Sequence, residues 1–342
     1  MLFVDVEQKA AEKVRESIWE VLFQNIVNYE SQNSEKHFLP WKILSATEKL
    51  KMTSHLSRAC AQWAKDGMLK PTLFKSLKSH IDTENSNSAW LCLALITGHV
   101  PLQDPAYVMD YFNDSIHTPE GVGLYTLLQV LRVLLASVSK LKQENRKSLQ
   151  KDLIVLVKKF SVPPELISTA MDIATLVSWI ESGGVESPKK MDTGATNLTI
   201  YHRKLDEWAS EIIEMIDSEL GKKILNPEQN EVEDTRMTRQ IFTLGELAQI
   251  CPHKINKRLF LLMQGIIFQQ GIKKTKKLPS TQTQSNDPVQ CAFTPTTKLQ
   301  ALSVITLAKM CLQNEDMAKR VVPAFGHLLD TTKDPALKNN IM

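Results

Sequence analysis

Between Gly121 and Val138, Leu124, Leu127, Leu128, Leu131, Leu134, Leu135 and Val138 fall at offsets 0, 3, 4, 7, 10, 11 and 14. That spacing is one stripe of a 3.6-residue helix, and it excludes a strand, whose side chains alternate with a period of two. Val130 and Val133 widen the stripe, so this helix is expected to pack against neighbours on more than one side. The same pattern recurs from Pro164 to Ile180, where Leu166, Ile167, Ala170, Ile173, Leu176, Val177 and Ile180 share a face. Near the start, Val14, Ile18, Val21, Leu22 and Ile26 repeat it. Strand alternation is almost absent. The chain is therefore expected to be all-α, about a dozen helices joined by short loops.

Helix starts are marked chemically. Ser45 and Glu48 have capping-box spacing. Asp104-Pro105, Thr118-Pro119 and Asp334-Pro335 each set a capping oxygen before a proline, which loses nothing at a helix start because that N–H has no intrahelical acceptor.

Two stretches interrupt the rhythm. Glu181–Thr196 is rich in Gly, Ser, Pro and charge and reads as a loop, while Gly271–Thr296 is polar and aperiodic, with disorder expected at its middle. The expected organisation is a helical-repeat segment over 1–182, a linker over 183–196, and a second helical-repeat segment over 197–342 that carries the insert at 271–296.

That second segment contains an echo. "TLGELAQICPHKINKRLFLLMQ" opens at Thr243 and "TLAKMCLQNEDMAKRVVPAFGHLL" opens at Thr306; each runs on to a Lys-Arg pair, Lys257-Arg258 and Lys319-Arg320, then turns apolar again. Without the insert, the two openings stand about 37 residues apart, within the range of helix-pair repeats. In the second copy Thr297–Leu312 reads as one helix and Asp316–Leu329 as the return helix, with Val321, Val322, Phe325, Leu328 and Leu329 expected inward and Pro323 imposing a kink. A further helix starts after Asp334. Such hairpins cannot bury their apolar faces alone and must stack into an α-solenoid.

The kinking Pro323, the turn at Asp334-Pro335 and Lys338 early in the next helix resemble the HEAT repeat, with Lys where Arg is more usual. The first copy departs from that pattern, since Leu261 or Leu262 stands where the proline belongs. Thr235–Met342 resembles more specifically the D-type HEAT-repeat subunit of condensin, and within that type the condensin II member; Met1–Leu225 is compatible without a distinctive motif. Members of that family are much longer, so the chain is expected to be a fragment, cut inside the helix begun at Asp334. The resemblance implies a non-catalytic scaffold that supports mitotic chromosome condensation, binds a kleisin subunit, docks near SMC ATPase subunits and contacts DNA or chromatin in the nucleus. A nuclear transport receptor or a phosphatase scaffold, both built on helical repeats, is the alternative.

The rest of the chemistry is consistent with a scaffold. The sequence has no H-E-x-x-H or G-x-S-x-G, and Gly221-Lys222-Lys223 lacks the upstream glycine of a phosphate-cradling loop. Its five cysteines lie scattered with no C-x-x-C, a usage that fits a reducing compartment, and its eight histidines are dispersed. No cofactor, metal, membrane or small-molecule substrate is expected. A net charge of +3 neither demands nor excludes a polyanion, so any nucleic-acid contact must come from local patches. Lys273, Lys274, Lys276 and Lys277 make one such cluster: a solvated loop, a DNA contact or an import signal. Lys257, Arg258, Lys319 and Arg320 make another, which repetition would align along one edge of the solenoid; two ordinary helix exteriors are the plainer reading.

Overall fold

The computed structural model describes residues 53–83, 85–117, 123–184, 195–225, 234–268, 293–312 and 314–341. Among them the only regular elements are α-helices and two short 3₁₀ turns. The expected first helix around Val14–Ile26, the capping box at Ser45, the capping Thr118 before Pro119, and most of both polar interruptions lie outside the described residues.

The chain divides into two compact units, 1–146 and 147–342. In the first, α1 (Thr53–Lys65), α2 (Pro71–Lys78), α3 (Ser86–Thr97), α4 (Ala106–His117) and α5 (Leu124–Ser137) follow one another. α3 is apolar nearly all round and occupies the middle, with Trp90, Leu91 and Leu93 removed from solvent. α5 packs against both α3 and α4. This is why its stripe is wide: Val130, Leu131, Val133 and Leu134 are all at 0% exposure, while Leu124 stands out in solvent. Asp104 caps α4, accepting from the Ala106 N–H at 3.1 Å.

The second unit is entered by α6 (Gln143–Lys158) and continues through α7 (Pro164–Ile180), α8 (Ala195–Leu225), α9 (Asp234–Ile250), α10 (Lys257–Phe268), α11 (Thr297–Cys311), α12 (Glu315–Thr331) and α13 (Pro335–Ile341). α7 has the bounds that the apolar spacing predicts, and its stripe Leu166, Ile167, Ala170, Ile173 and Val177 is buried. Helices pack on the next but one: α7 on α9, α9 on α11, α11 on α13, with α8 on α10 in a second row that covers the first. Such next-but-one packing is what stacked helical hairpins produce. Consecutive helices also pair, α8 with α9, α10 with α11, and α12 with both α11 and α13, so the expected return of α12 on α11 is present.

The turn after α6 is held from a distance. Phe160 is buried with a left-handed φ of 49°, a strained backbone for a bulky residue. Two arginines of α9 satisfy the carbonyls there: Arg236 donates to Lys159 O at 2.7 Å and Arg239 to Phe160 O at 3.2 Å. The Arg236 guanidinium also lies 5.3 Å from the Phe160 ring centre and forms an ion pair with Glu219 of α8 at 3.0 Å.

In the last hairpin one expectation fails. Val321 is buried but Val322 is 65% exposed, because it lies about 100° further round the helix, on a side of α12 that no described element covers. Phe325, Leu328 and Leu329 are half-buried. Pro323 sits inside α12, and Asp334 caps α13 by accepting from the Leu337 N–H at 3.0 Å.

Candidate functional site

The two echoing stretches are stacked directly on each other. Thr243 lies on α9 and Thr306 on α11, and the Thr306 hydroxyl donates to the Ile241 carbonyl at 3.1 Å across the helix interface. Gly245 makes this approach possible, since a Cβ there would lie 3.0 Å from Thr306 Oγ1 and 3.3 Å from Lys309 Cδ. Glu246 and Lys309 occupy the same position in their respective copies and pair with each other at 2.5 Å. Ser168 of α7 donates to the same carboxylate at 3.5 Å, and Lys309 Nζ lies 5.7 Å from the Phe242 ring centre. The echo is thus a stacking contact, with its charges used between neighbouring helices.

The repeated cations are used unequally. Arg258 reaches over α8 to Asp217 at 3.4 Å, and its guanidinium covers the backbone at Gly221, where a Cβ would come within 2.2 Å of Nη2. Asn256 donates to the other oxygen of Asp217 at 3.0 Å and accepts from the Leu259 N–H at 2.9 Å, tying the start of α10 to α8. Lys319 pairs with Glu315 one turn back on its own helix at 2.8 Å. Arg258 and Lys319 are therefore partly neutralised at home. Lys257 and Arg320, which are not equivalent positions, both line one open groove of about 800 Å³ between α10 and α12. Lys273, Lys274, Lys276 and Lys277 lie outside the described residues.

The groove runs the length of α10 from Lys257 to Phe268. Its floor is apolar, built by Phe260, Leu261, Phe268, Met317 and Ala324. The Phe268 ring meets Phe325 with centres 6.4 Å apart. The amino-terminal starts of both helices border it, and the Asn314 side chain caps α12 by accepting from the Met317 N–H at 3.0 Å.

A second polar cluster ties α8 to the 3₁₀ turn Pro252–Lys254. His253 Nε2 lies 2.8 Å from Asp206 Oδ1, and Lys254 Nζ lies 3.5 Å from Oδ2. Partial burial pushes the Asp206 carboxyl up, but the hydrogen bond and charge of His253 and then Lys254 outweigh it, so the group titrates below the usual carboxylate range. Nearby Cys251 is buried and pushed up to about 12, chiefly by desolvation, which leaves it a thiol. Burial does the same to Cys60, also at about 12. Among the described residues no group of His, Cys, Asp and Glu is placed to hold a metal, and no helix is long and apolar enough to cross a membrane.

Residues 233–329, from the start of α9 almost to the end of α12, match the family described as condensin-2 complex subunit D3-like HEAT repeats. The expected resemblance to the condensin II D-type subunit holds. The fold class is the all-α solenoid of HEAT-like hairpins. Two relatives align over 99% of the chain: condensin-2 complex subunit D3-L of Xenopus laevis at 25% identity, and condensin-2 complex subunit D3 of Mus musculus at 27%. The chain spans 22% of the length of each. The D3-like segment contains both copies of the echo, the Gly245–Thr306 contact and the described residues that line the groove.

Proposed function

We propose that the chain acts as a non-catalytic HEAT scaffold of a condensin II-like complex, contributing to mitotic chromosome condensation in the nucleus. The observation that carries this reading is the D3-like match over 233–329, laid on helices that stack as HEAT hairpins do. Hydrolysis of ATP would then belong to SMC partners, and this chain would bind a kleisin subunit and contact DNA or chromatin. Stacked hairpins suit that role, because each repeat contacts only its neighbours and a long surface can be built from small units.

DNA contact would come from sequence-independent cations. Lys273, Lys274, Lys276 and Lys277 are the strongest candidates, being four positive charges within five residues. Among the described cations, Arg258 and Lys319 already face carboxylates, and Arg320 is exposed beside the groove. The test is affinity purification of the tagged chain from dividing cells with quantitative mass spectrometry. Enrichment of SMC and kleisin subunits supports the reading; recovery of transport factors or phosphatase subunits instead would favour another helical-repeat scaffold.

A further inference from the structure

The first unit carries a pocket of about 390 Å³ between α2 and the connection from α3 to α4. Leu69, Pro71, Phe74, Val100, Pro101 and Tyr107 give it apolar walls, and all six keep some surface in solvent. The connection is held in place: the Leu102 N–H donates to Ser137 Oγ of α5 at 3.1 Å, and Asp104 caps α4. Lys75 and Lys78, in the last turn of α2, supply positive charge. Lys78 Nζ lies 4.5 Å from the centre of the Tyr107 ring, and neither lysine pairs with a carboxylate among the described residues. The Tyr107 hydroxyl is buried and has no hydrogen-bond partner among them. Burial, with the charge of Asp104 second, pushes this phenol up to about 12, so it keeps its proton and can donate.

We propose that this pocket docks a short partner peptide with an aromatic side chain beside an Asp or Glu, whatever assembly the chain joins. The volume suits one large side chain and its neighbour, and a ring entering between Phe74, Val100 and Pro101 removes their exposed surface from water. The adjoining carboxylate would meet Lys75 and Lys78 in charge-assisted hydrogen bonds. A peptide carbonyl would accept from the Tyr107 hydroxyl, which ends the cost of burying it unpaired. Charge complementarity selects an acidic partner. The lining holds two lysines against one carboxylate, Asp104, and that carboxylate already accepts from the Ala106 N–H. Duplex DNA suits the pocket poorly, because a phosphate strand needs a run of cations and would leave the apolar walls uncovered.

The test pans a phage-displayed library of random short peptides on the full chain and measures the recovered peptides by fluorescence polarisation. The expected consensus sets Phe, Tyr or Trp beside Asp or Glu. Affinity should fall about tenfold for Lys78→Glu, whose exposed position spares the core. It should fall about threefold or more for Tyr107→Phe, which removes one hydrogen bond and keeps the ring. Urea stability of Tyr107→Phe should be unchanged or higher, because the lost hydroxyl has no partner, so its weaker binding would not reflect unfolding. No recovered peptide, a consensus without an acidic residue, or affinity indifferent to either substitution would overturn the proposal. So would a short DNA duplex that displaces the peptides and itself loses affinity in Lys78→Glu, because the pocket would then be a nucleic-acid contact.

Discussion

The contact between α9 and α11 can be measured through Gly245. Replacing a helix-interior glycine by alanine normally stabilises by about 1 kcal/mol through propensity alone. Here the new Cβ would sit 3.0 Å from Thr306 Oγ1, a β-branched side chain whose hydroxyl is pinned to the Ile241 carbonyl, and 3.3 Å from the more yielding Lys309 chain. Forcing those atoms apart costs about 1 to 2 kcal/mol. Gly245→Ala should therefore be neutral or destabilise by up to about 1 kcal/mol. Thr306→Ala loses a buried hydrogen bond and a methyl group, together about 1 to 2 kcal/mol, but removes the obstructing oxygen. In that background Gly245→Ala should recover its normal gain of about 1 kcal/mol, so the double-mutant cycle should show favourable coupling of about 1 to 2 kcal/mol. Urea unfolding followed by circular dichroism, with unchanged slopes, reads all four corners. If Gly245→Ala stabilises equally in both backgrounds, α9 and α11 do not meet at this glycine and the stacking of the two copies is wrong.

The remaining predictions concern the core, acid stability and charge. Leu247 on α9 and Leu307 on α11 are both at 0% exposure, so alanine at either should cost about 2 to 5 kcal/mol in the same assay. A loss below about 1 kcal/mol would contradict their burial. Asp206 titrates below the usual range in the folded chain, so its contribution is present above the unfolded value of about 3.9 and is lost as pH falls through the lower folded value. Asp206→Asn should thus be less stable than the parent at neutral pH and approach it as acid protonates the parent carboxyl; a pH-independent gap would refute the His253–Lys254 link. Replacing Lys273, Lys274, Lys276 and Lys277 by Glu should weaken duplex binding and flatten its salt dependence. Identical titrations for parent and variant would assign the cluster to solvent or to import.

Helix register was legible because it is local. The spacing of Leu166, Ile167, Ala170, Ile173 and Val177 sets one buried face whatever packs on it, and α7 has the predicted bounds. Capping was legible for the same reason, since Asp104 and Asp334 bond to amides two or three residues away. The tie from Arg236 and Arg239 to the Phe160 turn was not, because it spans nearly 80 residues and leaves no periodic trace. The misplacement of Val322 has a related cause: an apolar pair such as Val321-Val322 cannot itself show which member has a neighbour.

By itself, then, the sequence determined an all-α chain of stacking hairpins and a repeated unit with a Lys-Arg pair in each copy. Only the tertiary structure decided what those pairs do. Stacking sets each copy beside the last with a displacement that no local pattern encodes, and it sends Arg258 to Asp217 while bringing Lys257 and Arg320 to one groove. The same displacement makes Glu246 and Lys309, equal positions in two copies, partners in one ion pair. Periodicity selects which face of a helix is buried; long-range packing selects which side chain it meets there.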